Sequence, residues 1–375
     1  MKLSVARRDL HPTLAVAQRI VERRNTVPVL SNVLLTADAR GLTLRATDLD
    51  VEVSTRIEAA VEEPGAVTVS AGRLHDIVGK LADGQIRLEA AGDMASEVRL
   101  VSGRARFALQ VLPASDFPEM ATGELPHAFG LAAEWLAADL EAVGIAISTE
   151  ETRYYLNGVF VHVTEGGLLT LVATDGHRLS LARRDCPDGA AGMPGVIVPR
   201  KTVLEIGKLC RGEAKEVRIS VSESKIRFEV GETTLVSKLI DGTFPDYVRV
   251  IPGPAPISAE IRRVETRDAV DRVMTVSSER GRAVRLAIDA AAAEMRLEVA
   301  NPDGGSAAET IDMARAEGGD ITIGLNGRYF AEALDALTGE TIAIGATDPG
   351  SPVRLTPTDD RDGARRLIVV MPMRV

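Results

Sequence analysis

The sequence predicts an α+β protein of three homologous domains, each an antiparallel sheet carrying two helices. Three landmarks recur in one order at nearly constant spacing. Ala46-Thr47-Asp48 ends an alternating strand with Leu42 and Leu44. Ala173-Thr174-Asp175 follows Leu169 and Leu171 in the same way, and Ala300-Asn301-Pro302 follows Leu297 and Val299. The second landmark is a short strand leading into a helix, at VTVSAGRLHDIVGKL, VIVPRKTVLEIGKLC and ITIGLNGRYFAEAL. Phe117-Pro118 and Phe244-Pro245 supply a third, which the last unit replaces with VVMPMRV. A repeat of this length gives each unit its own core, unlike the short repeats of a solenoid. The expected domains span residues 1–122, 128–252 and 253–375.

Each unit should open on a helix. Leu10, Leu14, Ala17 and Val21 set its apolar face in the first unit. Leu136, Leu140, Val143 and Ile147 repeat it, and Val270, Val273 and Met274 mark it in the third. The spacing of three and four residues is that of one helical stripe. The later helix repeats a stripe through Leu74, Ile77, Val78 and Leu81, then Val203, Ile206, Gly207 and Cys210, then Phe330, Ala333, Leu334 and Leu337. Cys210 thereby reads as a core filler. What remains alternates polar and apolar between Gly, Asp and Pro turns, the pattern of hairpin strands.

Composition narrows the function. The 375 residues are 45% hydrophobic and 26% charged, the balance of a globular protein. Two cysteines, Cys186 and Cys210, are too few for a disulfide framework or a thiolate metal cage. The charged opening MKLSVARRDLHPTL lacks a signal-peptide core, and no apolar run reaches the length of a membrane span, so a cytoplasmic location is expected. The net charge of −10 excludes binding nucleic acid by bulk charge; any such contact needs a local basic face. No phosphate loop or nucleophile elbow is present, and the five histidines are scattered without metal-ligand spacing. Asp175, Gly176, His177 and Arg178 stand together in ATDGHRLSL, yet the matching turn of the first unit, Asp48-Leu49-Asp50, has no histidine. A tight turn that uses glycine for positive φ accounts for the stretch. A binding rim peculiar to the second unit and a catalytic Asp175/His177 pair are the alternatives.

RYYLNGVF, ATDGHRL, VIVPRK, SKLIDGTFPDY and the terminal MPMR, in this order over the whole length, resemble the bacterial DNA polymerase III beta subunit, the sliding clamp family. The resemblance implies a head-to-tail homodimer ring of six domains, with helices lining the hole and sheets outside. It implies a non-catalytic processivity factor that encircles double-stranded DNA, without cofactor or metal. The ring tethers the replicative polymerase, the clamp loader and other partners. A clamp paralogue with altered loading is the second reading. Twelve helices at about 8–10 Å spacing give a circle roughly 35 Å across, and a hole of roughly 25 Å once helix thickness is removed. A duplex fits that hole with a layer of water.

By resemblance, Arg24, Arg73, Arg200, Lys201 and Arg282 face DNA, and Tyr154 and Tyr155 sit on a loop at the ring face. Glu134, Asp139 and Glu141 make the second unit's first helix a poor attractor. The subunit joint would use Arg104, Arg106, Phe107 and Leu109 on one side, against Thr275, Val276, Asp303 and Glu309. An apolar pocket for partner peptides would be lined from the second unit by Leu156, Thr174, Gly176, His177, Arg178 and Leu179. Pro245, Arg249 and Val250 extend it, and Val369, Val370, Met371, Pro372, Met373 and Arg374 close it. His177 and Arg178 are its expected polar rim. Methionine suits a surface that accepts many partners. Gly350 and Pro352 stand where a serine-rich run is found in the family.

Overall fold

The computed structural model describes residues 1–22, 26–91, 96–277, 282–301, 304–359 and 363–374. Arg24 and Asp303 lie outside the described residues. The chain divides into two compact bodies, residues 1–134 with 208–239 and residues 135–207 with 240–375.

Six α-helices are described: α1 (Arg7–Ile20), α2 (Ala71–Lys80), α3 (Ala133–Gly144), α4 (Arg200–Leu209), α5 (Arg263–Met274) and α6 (Gly327–Ala336). They fall two to a repeat, where the apolar stripes place them. Leu10, Leu14, Ala17 and Ile20 of α1 are buried, as are Leu74 and Val78 of α2, and Phe330, Ala333 and Leu334 of α6. Local signals set the ends. Ser70 accepts from the Arg73 N–H at the start of α2, and the Asn326 side chain accepts from the Arg328 and Tyr329 N–H groups at the start of α6. At the far end of α2, Arg7 donates from Nε to the Val78 carbonyl and from Nη2 to the Gly79 carbonyl, each at 2.9 Å. A cation at that end adds donors to the carbonyls of the last turn and suits the helix dipole.

Each body is built on one antiparallel sheet, of 13 strands in the first and 12 in the second. The first sheet joins two repeats: Val51–Ile57 of repeat one pairs with Thr233–Lys238 of repeat two, Val51 opposite Ser237. The second does likewise: Arg178–Asp185 of repeat two pairs with Arg365–Val370 of repeat three, Arg178 opposite Val370. This last strand serves two cores by alternation. Val370 and Ile368 pack into the core around Phe330, Leu286 and Leu325. Val369, with Leu367 beside it, belongs to the core around Leu156, Leu179, Phe244 and Tyr247. Opposite faces of one strand are what a period of two provides.

Apart from the terminal strands of each sheet, two strands leave part of one edge without a ladder among the described residues. Ala105–Leu112 pairs through residues 105–110 with Glu97–Ser102 alone, and only its last two residues reach Gly65–Ser70. In Gly305–Glu317, residues 305–312 pair with Glu294–Asn301 alone, and the rest turns to Ile257–Arg262.

Candidate functional site

The ATDGH turn is built by its own side chains. The Thr174 hydroxyl donates to the Arg178 carbonyl at 2.7 Å and accepts from the Gly176 N–H at 3.1 Å. Asp175 Oδ1 accepts from the His177 and Arg178 N–H groups. Gly176 has φ +88°, and a Cβ there would meet Arg153 Nη1 at 2.6 Å. The first repeat makes the same turn. Thr47 donates to the Val51 carbonyl, Asp48 accepts from the Asp50 and Val51 N–H groups, and Leu49 takes φ +78° without being glycine. The motif that suggested chemistry is therefore a duplicated structural turn, and no group of three metal-ligating side chains occurs among the described residues.

Of the two described copies of the turn, the second meets the C-terminal tail. The Met371 N–H donates to the His177 carbonyl at 2.9 Å, and the Met373 N–H to the Gly324 carbonyl at 2.8 Å. In the first repeat Lys238 takes the place of Met371: its N–H donates to the Asp50 carbonyl, and its ammonium bonds Asp50 Oδ1 at 3.0 Å. An ion pair stands there where the second body exposes thioether.

The expected pocket residues separate into three groups. Leu156, Leu179, Val369 and Val370 are no more than 4% exposed and belong to the cores. Met371 and Met373 are about 40% exposed, and Val250 and its neighbour Val248 about half or more, so the accessible apolar surface comes from these. Pro245 and Arg249 are exposed, with Arg249 ion-paired to Asp246 at 2.7 Å. Tyr247 beneath them donates to or accepts from His162 at 2.9 Å, and burial holds the His162 imidazole below its ordinary pKa. Thr174 is half-buried within the turn. Pro372, Met373 and Arg374 line a groove of about 840 Å³ with Arg285, Thr322 and Gly350.

His177 is exposed, as a rim group must be, whereas Arg178 is not. Its side chain is 9% exposed, bonded to Asp175 at 3.1 Å and to Glu332 at 2.5 Å, with its guanidinium 4.2 Å from the centre of the Tyr329 ring. Residue type showed that Arg178 was polar, but the acid that buries it lies 154 residues away on α6, beyond any local pattern.

His177 and Arg178 share a polar cavity of about 570 Å³ with Arg200 and Arg282. One cavity wall thus carries two pocket candidates and two DNA candidates. Arg200 and Arg282 are exposed and have no ion-pair partner among the described residues. Arg73 is exposed on the first turn of α2, and Lys201 is half-buried on α4. Tyr154 is 54% exposed and meets the half-buried Tyr155 edge to face. Asp139 departs from expectation. It is 2% exposed and holds Arg184 and Arg366, so it adds no acidity to the solvent face of α3. Two guanidiniums on one carboxylate repay its loss of water, which an unpaired buried charge could not do.

The joint candidates lie on the two open edges or beside them. Arg104 and Arg106 are exposed, and Phe107 and Leu109 half-buried on one face of their strand. Thr275 is exposed and Val276 half-buried just past α5. Glu309 is already engaged within its own chain, accepting from Arg272 at 2.6 and 3.0 Å. Hydrogen bonding from that arginine holds its carboxyl below the ordinary range.

Family models for the N-terminal, central and C-terminal domains of the DNA polymerase III beta subunit match residues 1–121, 131–246 and 248–374. The beta sliding clamp of Caulobacter vibrioides is 43% identical over 384 residues, covering all of both chains. That of Escherichia coli is 36% identical over 380 residues, again covering both in full. The crystal structure of a DnaN sliding clamp from Bartonella birtlesii bound to griselimycin superposes with a TM-score of 0.93 at 43% identity, covering both chains fully. That of the C. crescentus clamp, with polyethylene glycol at a putative beta-motif tethering region, also has a TM-score of 0.93, at 42% identity over 100% of this chain and 99% of that one. Coverage from end to end at this identity, together with all three domain models in order, means that the chain belongs to the DNA polymerase III beta subunit family, the bacterial beta sliding clamps.

Proposed function

We propose that two copies close head to tail into a six-domain ring that holds duplex DNA by enclosure, and that the surface around Met371 and Met373 tethers partners to it. The protein is a DNA sliding clamp, a non-catalytic processivity factor. The observation that carries ring closure is the repetition of one joint. Twice within the chain, a strand from one repeat pairs with the last strand of the next. The third repeat's counterpart of the first partner is Gly305–Glu317, and the first repeat's counterpart of the second is Ala105–Leu112. Both have the needed edge open, and open edges invite pairing.

The internal joints also supply a register. Thr174 pairs with Leu179 as Asn301 pairs with Gly305, so Gly304 is the counterpart of Arg178. Val230 pairs with Thr233 as Ser102 pairs with Ala105, so Leu109 is the counterpart of Ser237. Setting Gly304 opposite Leu109 brings the partner's Phe107 opposite Ser306 and the partner's Arg104 opposite Glu309. In this reading the domains are residues 1–122, 128–252 and 253–375.

Arg73 in the first body and Arg200, Lys201 and Arg282 in the second, with Arg24, Tyr154 and Tyr155, are the residues proposed to contact DNA. Such contacts are weak, salt-sensitive and indifferent to sequence, which permits sliding. An extended partner peptide with Leu and Phe anchors gains roughly 1.5–3 kcal/mol per buried apolar side chain. Val248, Val250, Met371 and Met373 offer the surface for it, with His177 at the rim. The replicative polymerase, the clamp loader and other partners would use this site, in the cytoplasm. No helix among the described residues is long and apolar enough to cross a membrane. The test is retention on DNA: the loaded protein should stay on nicked circles and leave linearised ones. Equal retention on both would refute holding by enclosure.

A further inference from the structure

The pairing of Arg178 with Glu332 joins two repeats at the edge of the tail. Arg178 belongs to the ATDGH turn of repeat two and Glu332 to α6 of repeat three. Their Nη1–Oε2 distance is 2.5 Å. The other Glu332 oxygen accepts from Arg328 Nε at 2.7 Å, and Tyr329 of the same helix lies against the Arg178 guanidinium at 4.2 Å. Burial raises the Glu332 carboxyl, but hydrogen bonds from Arg328 and Arg178 outweigh it and hold the group below the ordinary glutamate range. A guanidinium fork between two carboxylates, capped by a ring, has one geometry. Arg178 is too deeply buried to greet a ligand, and what its bonds fix is the distance from the turn to α6. His177, the preceding residue, accepts the Met371 N–H at its carbonyl.

We infer that Glu332 is a positioning residue of the peptide-binding surface: through Arg178 it holds the His177 turn, and with it the Met371 tail, against α6. The inference rests on the peptide-pocket reading above. It separates Arg178 from direct recognition, since an arginine that touched the peptide would not need Glu332 to do so.

The test is a double-mutant cycle on the full-length dimer, by calorimetry with a synthetic peptide carrying Leu and Phe anchors. Glu332→Gln and Arg178→Met should each weaken binding about fivefold to tenfold, the range in which residues off the ligand act. The double variant should be no weaker than the worse single one, because both remove one link. Dimer mass and retention on circular DNA should not change. Unchanged affinity in Glu332→Gln, or losses that multiply, would overturn the inference. If Arg178→Met does not fold, Glu332→Asp against Glu332→Gln carries the comparison. The aspartate keeps the charge and should bind more tightly than the glutamine, and equal or weaker binding counts against the role. Failure of the unaltered protein to bind the peptide would instead refute the pocket reading.

Discussion

Replacing Phe107 with Asp should take the ring apart. Phe107 lies on the open edge of Ala105–Leu112, half-buried in the single chain, on the same face as Leu109. Full burial of a phenylalanine is worth up to about 3 kcal/mol, so the part still exposed, about a third at most, contributes about 1 kcal/mol when a second copy covers it. An aspartate there loses that and must shed water from a carboxylate, at about 2 kcal/mol or more. A closed ring of two chains contains the joint twice, so the change amounts to about 6 kcal/mol per dimer. That raises the dissociation constant by about four orders of magnitude. Sedimentation velocity at low micromolar concentration should move from twice 39.9 kDa to 39.9 kDa. Circular dichroism should be unchanged, because Phe107 is not among the fully buried core residues. A dimer that persists at micromolar concentration would remove this strand from the joint.

Three further outcomes are expected. Arg200→Ala with Arg282→Ala should shorten residence on nicked circles at low salt and matter less as salt rises, with dimer mass intact; a salt-independent loss would mean that the two do not meet phosphates. Gly176→Ala should cost about 1–2 kcal/mol in urea melts, since φ +88° disfavours a Cβ and Arg153 Nη1 occupies its place, while Leu49→Gly in the twin turn should cost nothing or stabilise slightly; equal effects would refute the account of the turns. Burial raises Cys210 to about 11 and leaves it protonated at pH 8, so iodoacetamide on the native protein should modify the half-buried Cys186 first, and both thiols only after unfolding.

The repeat, the six helices and the ATDGH turn were legible in the sequence because each rests on spacing within a short window. Leu74 and Val78 announce α2 by helical period, and Thr174 and Asp175 sit within hydrogen-bonding reach of their own turn. What was illegible depends on residues far apart. Nothing near Asp139 shows that it is enclosed by Arg184 and Arg366, and nothing near Glu309 shows that Arg272 takes it first. The division of the chain into bodies that cut across the second repeat is illegible for the same reason. Strand patterns specify which face is apolar but not which repeat supplies the neighbouring strand.

The alternation of Arg365–Val370 between two cores has a kinetic side. Each body is completed by a strand from the following repeat: Thr233 comes back to Thr55 over 178 residues, and Val370 to Arg178 over a similar stretch. Closures of that span have high contact order and are slow. Repeat two cannot mature as it leaves the ribosome, because the edge at Arg178 waits for the final strand. Refolding should therefore populate a species with native helices and an unzipped seam. The carbonyl of His177 and the N–H of Met371 would be among the last pairs to form, so a nascent clamp would be unable to recruit partners until its seam had closed.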